Sequence, residues 1–126
     1  MELRQEKAEA GPVITGVSGN AFKVDHVLRE GALLLTPRSL HPWQVGNNPL
    51  VDLAGLVRSM DLEPLPELLL LGTGKALRRP APSEQSALEA LGIGLEVVDS
   101  RTAARVWGLL RAEGRWIAAA LLPPNG

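Results

Sequence analysis

Residues 67–79 read Glu-Leu-Leu-Leu-Leu-Gly-Thr-Gly-Lys-Ala-Leu-Arg-Arg. Leu68–Leu71 is an unbroken apolar run, with Pro64 and Pro66 before it and Gly72 and Gly74 after it. Periodicity alone does not separate a buried strand from a buried helix in so short a run. Its length and its flanking Pro and Gly favour a central strand covered on both faces.

The chain downstream keeps alternating. Pro82-Ser83 opens a helix whose Ala87, Leu88 and Leu91 face the core, and Gly92 and Gly94 bracket its end. Residues 93–98 are a second buried strand. Ser100 or Asp99 caps a further helix, where Ala103, Val106-Trp107 and Leu110 form an apolar stripe at helical spacing. Gly114 stops that helix, and residues 116–122 form the last strand before Pro123-Pro124. Such alternation predicts crossover connections and a largely parallel sheet with helices on its faces.

Upstream the pattern changes. Residues 13–15 and 22–24 read as short strands around turn residues Gly16, Gly19 and Asn20, and residues 32–35 are a third apolar run. We expect a hairpin or small antiparallel meander over 13–36. Three prolines and Gly46-Asn47-Asn48 make residues 37–49 an irregular connection, with Trp43 pinning it to the core. Asn48-Pro49 signals a helix start ahead of Leu50, Leu53, Leu56-Val57 and Met60.

Composition bounds the chemistry. At 126 residues the chain is sized for one domain. It has no Cys and no Tyr, which removes disulfides, thiolate metal sites, cysteine nucleophiles and iron–sulfur ligation. The net charge of −1 offers no broad electrostatic footprint for nucleic acid. No apolar stretch approaches the roughly 20 residues of a membrane span, so no membrane insertion is expected. Met1–Ala10 carries Glu2, Glu6 and Glu9 against Arg4 and Lys7. It lacks the apolar core of an export signal and reads as a disordered tail ahead of a single domain over residues 11–126. The expected compartment is the cytoplasm. Ten Arg against three Lys, with abundant Ala, Gly and Pro, suggest a GC-rich, bacterial genome.

The strongest local feature for chemistry is the loop from Gly72 to Arg79. It follows a buried strand, where α/β folds place ligand crevices. Its glycines could bring backbone amides to an anion, with Lys75, Arg78 and Arg79 supplying charge. It matches neither the dinucleotide fingerprint nor the Walker loop, and a tight turn with solvated basic residues is the simpler reading. Asp99, just after a buried strand, is the best-placed carboxylate for proton transfer, and helix capping is its simpler role. The Gly16–Asn20 stretch nearly spells a nucleophile elbow around Ser18, but between strands rather than at a strand-to-helix turn. His26 and His41 lack metal-ligand spacing. No catalytic residue, metal or cofactor is assigned. Arg101, Arg105, Arg111 and Arg115 decorate the last helix and its exit, while Asp61, Glu63 and Glu67 precede the central strand. Arg and Trp are favoured at interfaces, so Arg101, Arg105 and Trp107 are candidates for a partner-binding surface.

The ordered blocks Leu68–Gly74, Gly92–Asp99, Thr102–Gly114 and Ala118–Leu122 resemble the Mth-like domain family of unknown function, as do Ile14-Thr15-Gly16, Phe22-Lys23-Val24 and Trp43. The similarity spans roughly residues 13–122. It implies one three-layer α/β domain with a mixed, mostly parallel central sheet and an additional N-terminal β-hairpin layer. It implies no established enzymatic activity. The family includes a mitochondrial assembly factor for a respiratory complex, which works through protein contacts, and an adipogenesis-associated relative. Members often carry Cys-Arg-Thr-Tyr-Asn on the last helix, where this chain reads Ala104-Arg105-Val106-Trp107-Gly108. Chemistry that needs that Cys or Asn is lost here. The leading expectation is a non-enzymatic protein-interaction or assembly factor with a protein partner. The alternative is a small-molecule or anion-binding protein, or weak enzyme, using Gly72, Thr73, Gly74, Lys75, Arg79 and Asp99.

Overall fold

The computed structural model describes residues 11–126; the expected N-terminal tail lies outside the described residues. Among the described residues eleven elements follow in order: β1 (Ile14–Ser18), β2 (Ala21–Val24), β3 (Val27–Glu30), β4 (Leu33–Leu35), β5 (Leu40–Pro42), α1 (Leu53–Ser59), β6 (Leu68–Gly72), α2 (Pro82–Glu89), β7 (Gly94–Val98), α3 (Ser100–Ala112) and β8 (Ile117–Leu121).

They form two sheets. β1-β2-β3 is an antiparallel meander, and β5-β4-β8-β6-β7 is a five-stranded mixed sheet. The apolar run of Leu68–Leu71 is β6, paired in parallel with β8 on one side and β7 on the other. This three-strand heart is the parallel part of the sheet. β4 joins β8 antiparallel, and β5 joins β4 the same way. The expected mostly parallel sheet is therefore corrected to one with two parallel and two antiparallel pairings. The meander is also shorter than expected. Gly31 ends it, and Ala32–Leu35 leaves to pair with β8, because three consecutive buried leucines need cover on both faces. The predicted hairpin layer is a three-stranded sheet.

Side chains alternate across the large sheet and define two cores. Leu69 and Leu71 of β6, with Ala118 and Ala120 of β8, face Leu53 and Val57 of α1 and Leu88 of α2. Trp43 is buried in the same cluster and holds the irregular connection in place. Leu70, Ile117, Ala119 and Leu121 face the opposite way, onto Ala103 and Trp107 of α3 and Phe22 and Val24 of β2. The α3 stripe read from sequence is thus the helix's inner face. Each fully buried Leu contributes about 1.5–3 kcal/mol. One helix boundary moves. Asn48 accepts a hydrogen bond from the Leu50 amide, but α1 begins only at Leu53. Its cap is Asp52, whose carboxylate accepts from the Gly55 amide at 3.2 Å.

Candidate functional site

The sheet's connections place the crevice predicted from sequence. β6 leads to α2 on one face and its neighbour β7 leads to α3 on the other. That divergence beyond the carboxyl ends of adjacent strands is where open α/β sheets hold ligands. Gly72, Thr73 and Gly74 lie on one side of it, with Asp99 and Ser100 on the other.

The protein fills this crevice with its own groups. The Thr73 amide donates to the Val98 carbonyl at 2.9 Å, and the Lys75 amide donates to the main-chain oxygen of Gly126 at 3.1 Å. The Gly74 amide donates to Ser100 Oγ at 2.8 Å. The Ser100 amide returns a bond to the Gly74 carbonyl at 2.8 Å. Ser100 Oγ donates onward to the Leu122 carbonyl at 2.6 Å, while the Leu122 amide donates to the Gly72 carbonyl at 2.9 Å. A ligand seeking the amides of residues 73–75 would have to displace protein acceptors.

The glycines serve this closure. Gly74 has φ +91°, and a Cβ there would sit 2.4 Å from the main-chain oxygen of Gly126. A Cβ on Gly72 would press on Ser100 Oγ and Ala103 Cβ at 3.0–3.1 Å, so the glycine lets α3 approach the end of β6. Thr73 Oγ1 donates to the Ala76 carbonyl at 2.7 Å and accepts from the Arg78 amide at 3.1 Å. The Arg78 guanidinium donates to the Thr73 carbonyl at 3.3 Å. Lys75 and Arg79 are exposed.

Asp99 caps α3. One oxygen accepts from the Thr102 hydroxyl at 2.5 Å and the other from the Thr102 amide at 3.1 Å. The Thr102 hydroxyl, and then its amide, hold the carboxyl below its ordinary range. A carboxylate so engaged is a fixed acceptor at neutral pH.

Trp107 is fully buried, and its indole N–H donates to the Pro12 carbonyl at 3.1 Å. It belongs to the core rather than to a partner-binding surface, because the apolar stripe of α3 must face the sheet. Arg101 and Arg105 are exposed one turn apart on α3. Arg101 Nη2 reaches the Asn125 side-chain oxygen at 3.2 Å. The two arginines flank an open groove of about 210 Å³ between α3 and residues 14–17 of β1, with Ala104 beside them. The composition of α3 announces the arginines, but nothing in the sequence announces β1 as the opposite wall. Sequence reasoning also missed Ser100 as a clamp. A small hydroxyl at a helix start, directly after a buried strand, was the available signal.

The remaining candidates stay apart. Ser18 ends β1 in a hairpin turn. His26 lies in the β2–β3 turn, and the His41 ring contacts Ser39 Oγ at 2.8 Å. Among the described residues no three His, Asp or Glu gather into a metal-sized cluster. Arg115 pairs with Glu67 at 2.8 Å on the surface. Among the described residues no helix is long and apolar enough to cross a membrane.

Comparison with known proteins follows the same blocks. Residues 14–122 match the family described as a protein of unknown function (DUF498/DUF598). The chain belongs to this family. One curated relative is the NADH dehydrogenase [ubiquinone] 1 alpha subcomplex assembly factor 3 of Danio rerio. It is 32% identical over 98% of this chain and 71% of its own length. An uncharacterised protein of Rhodobacter capsulatus is 34% identical over 90% of this chain and 86% of its own. Among solved structures, a Bordetella parapertussis protein superposes with a TM-score of 0.79 at 32% identity, covering 90% of this chain and 97% of its own. A Bordetella pertussis Mth938-like domain does so with a TM-score of 0.74 at 26% identity, covering 90% and 87%. The family is thus the one whose resemblance the sequence blocks carry, with family members in both vertebrates and bacteria.

Proposed function

We propose that this protein works by binding other proteins during assembly of a larger complex, without catalysing a reaction. The carrying observation is the closed crevice. Three consecutive amides at the place where an α/β sheet would seat a small ligand are donated to Val98, Ser100 and Gly126. That closure weighs against the anion-binding alternative built on Gly72, Thr73, Gly74, Lys75, Arg79 and Asp99. The relatives named as assembly factors supply the second support. The working surface in this reading is the exposed face of α3 with Arg101 and Arg105, joined to the edge of β1.

Native gel electrophoresis from the source organism, with the chain tagged at its own locus, tests the reading. The expected result is a fraction of the chain co-migrating with subunits of one multisubunit complex. Deletion of the gene should lower the amount of that complex. Migration of the chain only as a small free species, carrying a retained metabolite in native mass spectrometry, would overturn the reading in favour of the ligand-binding alternative.

A further inference from the structure

The groove between β1 and α3 has one wall of charge and one of backbone. Its helical wall carries Arg101 and Arg105, both exposed. From Ser100 to Ala112 the helix has three Arg and no Asp or Glu. Like charges one turn apart on a helix are mildly destabilising. Among the described residues no carboxylate forms an ion pair with either guanidinium. The opposite wall is a sheet edge. Among the described residues β1 pairs with β2 alone, so one row of its amides and carbonyls has no described strand opposite. A bulge lies between Ile14 and Gly16, which leaves residues 16–18 as the regular stretch. A Cβ on Gly16 would meet only the Lys23 side chain at 3.8 Å, so this stretch of β1 is uncrowded.

We infer that this groove receives an extended acidic segment of a protein partner, lying along β1 with carboxylates at alternate positions on Arg101 and Arg105. The spacing supports it. Four helical residues advance about 6 Å, and two residues of an extended strand advance about 6.6 Å. Side chains at alternate strand positions share one face, so an acidic-x-acidic segment presents two carboxylates at about the pitch of the two arginine positions along the helix. Ile14, Val17 and Ala104 supply apolar wall for flanking side chains. A chain of net charge −1 lacks the extended basic footprint that a nucleic acid requires. The inference rests on the assembly reading and adds the chemistry of the partner.

Two fluorescein-labelled peptides test it, one alternating Glu and Val and one with the same residues but all Glu contiguous. Inorganic phosphate is the third probe. The alternating peptide should bind the intact chain, shifting amides of residues 14–18 and 101–105 in ¹⁵N spectra. The contiguous isomer should bind at least about fivefold more weakly. An Arg101→Glu/Arg105→Glu double variant, shown by circular dichroism to be folded, should lose about tenfold or more in affinity and bind a peptide with Lys in place of Glu. Equal binding of both isomers, shifts elsewhere, absence of binding at millimolar peptide, or phosphate binding as tightly at the same amides would each overturn the inference. The native gel separates this failure from that of the assembly reading. If the double variant co-migrates with the large complex as the unaltered chain does, the acidic-segment inference falls and the assembly reading stands. If the unaltered chain never co-migrates, the assembly reading falls.

Discussion

Two regions of this molecule share one helix and use it in opposite ways. The first turn of α3 meets the glycine loop, and there the polar groups are spent on each other: Ser100 on Gly74 and Leu122, Asp99 on Thr102. On the other side of that turn and the next, Arg101 and Arg105 face outward beside an open groove, with Asn125 the side-chain partner of Arg101. A glycine-rich loop after a buried strand looks like a ligand cradle in sequence because glycine permits close approach. What approaches here is the protein's own segment from Leu122 to Gly126. The arginines look like an ordinary solvated face, yet they are the groups left with charge to offer. A site is recognised by which donors remain unused after folding, and only the packed structure reveals that.

The comparison can be broken by substitution, and the buried side should yield the larger effects. Trp107→Ala should cost about 4 kcal/mol in urea denaturation, since it empties the α3 core position and leaves the Pro12 carbonyl without its donor. A loss below about 1 kcal/mol would return Trp107 to the surface. Gly74→Ala should cost about 3 kcal/mol by the same measurement, from positive φ and the close main-chain oxygen of Gly126. Ser100→Ala should cost about 2 kcal/mol, because the buried Gly74 amide and Leu122 carbonyl both lose their partner. Faster hydrogen exchange at Gly74 should accompany it. Asp99→Ala removes a cap worth about 1 kcal/mol. The depressed folded pKa of Asp99 sets the sign of its pH dependence. The cap contributes fully above about pH 4, the unfolded carboxyl value, and is lost as pH falls through the lower folded pKa. The stability difference between Asp99→Ala and the unaltered chain should therefore shrink in acid.

Much of this fold was legible as pattern. Leu68–Leu71 declared a doubly covered strand, and Ala103, Trp107 and Leu110 declared the inner face of α3. Asp99 carried a helix cap in plain view. What escaped reading depended on partners far apart in the chain. Ala32–Leu35 looked like a third meander strand because local sequence cannot state that β8, more than 80 residues later, is its neighbour. Asn48-Pro49 carried valid capping chemistry but satisfied only a turn, and Asp52 took the cap. Ser100 is one of two capping candidates for α3 in the sequence, while in the fold Asp99 is the cap and the Ser100 hydroxyl ties the loop after β6 to the residue after β8. The groove was invisible for the same reason, since its walls lie nearly 90 residues apart in sequence.

The smallest expected effect is the one that separates the two regions most cleanly. Arg105→Ala should change stability by no more than about 0.5 kcal/mol, the range of exposed substitutions that break no packing or pairing. Arg105 is exposed, and no carboxylate pairs with it among the described residues. Ala has the higher helix propensity, and its substitution relieves repulsion from Arg101; loss of the arginine's methylenes from the groove wall opposes both. The same substitution should weaken the alternating acidic peptide measurably, because it removes one of two arginines whose positions along the helix lie at about the pitch of a strand. A side chain that matters little to folding but much to peptide binding has its partner outside the chain. A stability loss above about 1.5 kcal/mol would instead place Arg105 with Ser100 and Asp99, among groups whose hydrogen-bonding capacity the fold has already used, and the contrast between the two regions would disappear.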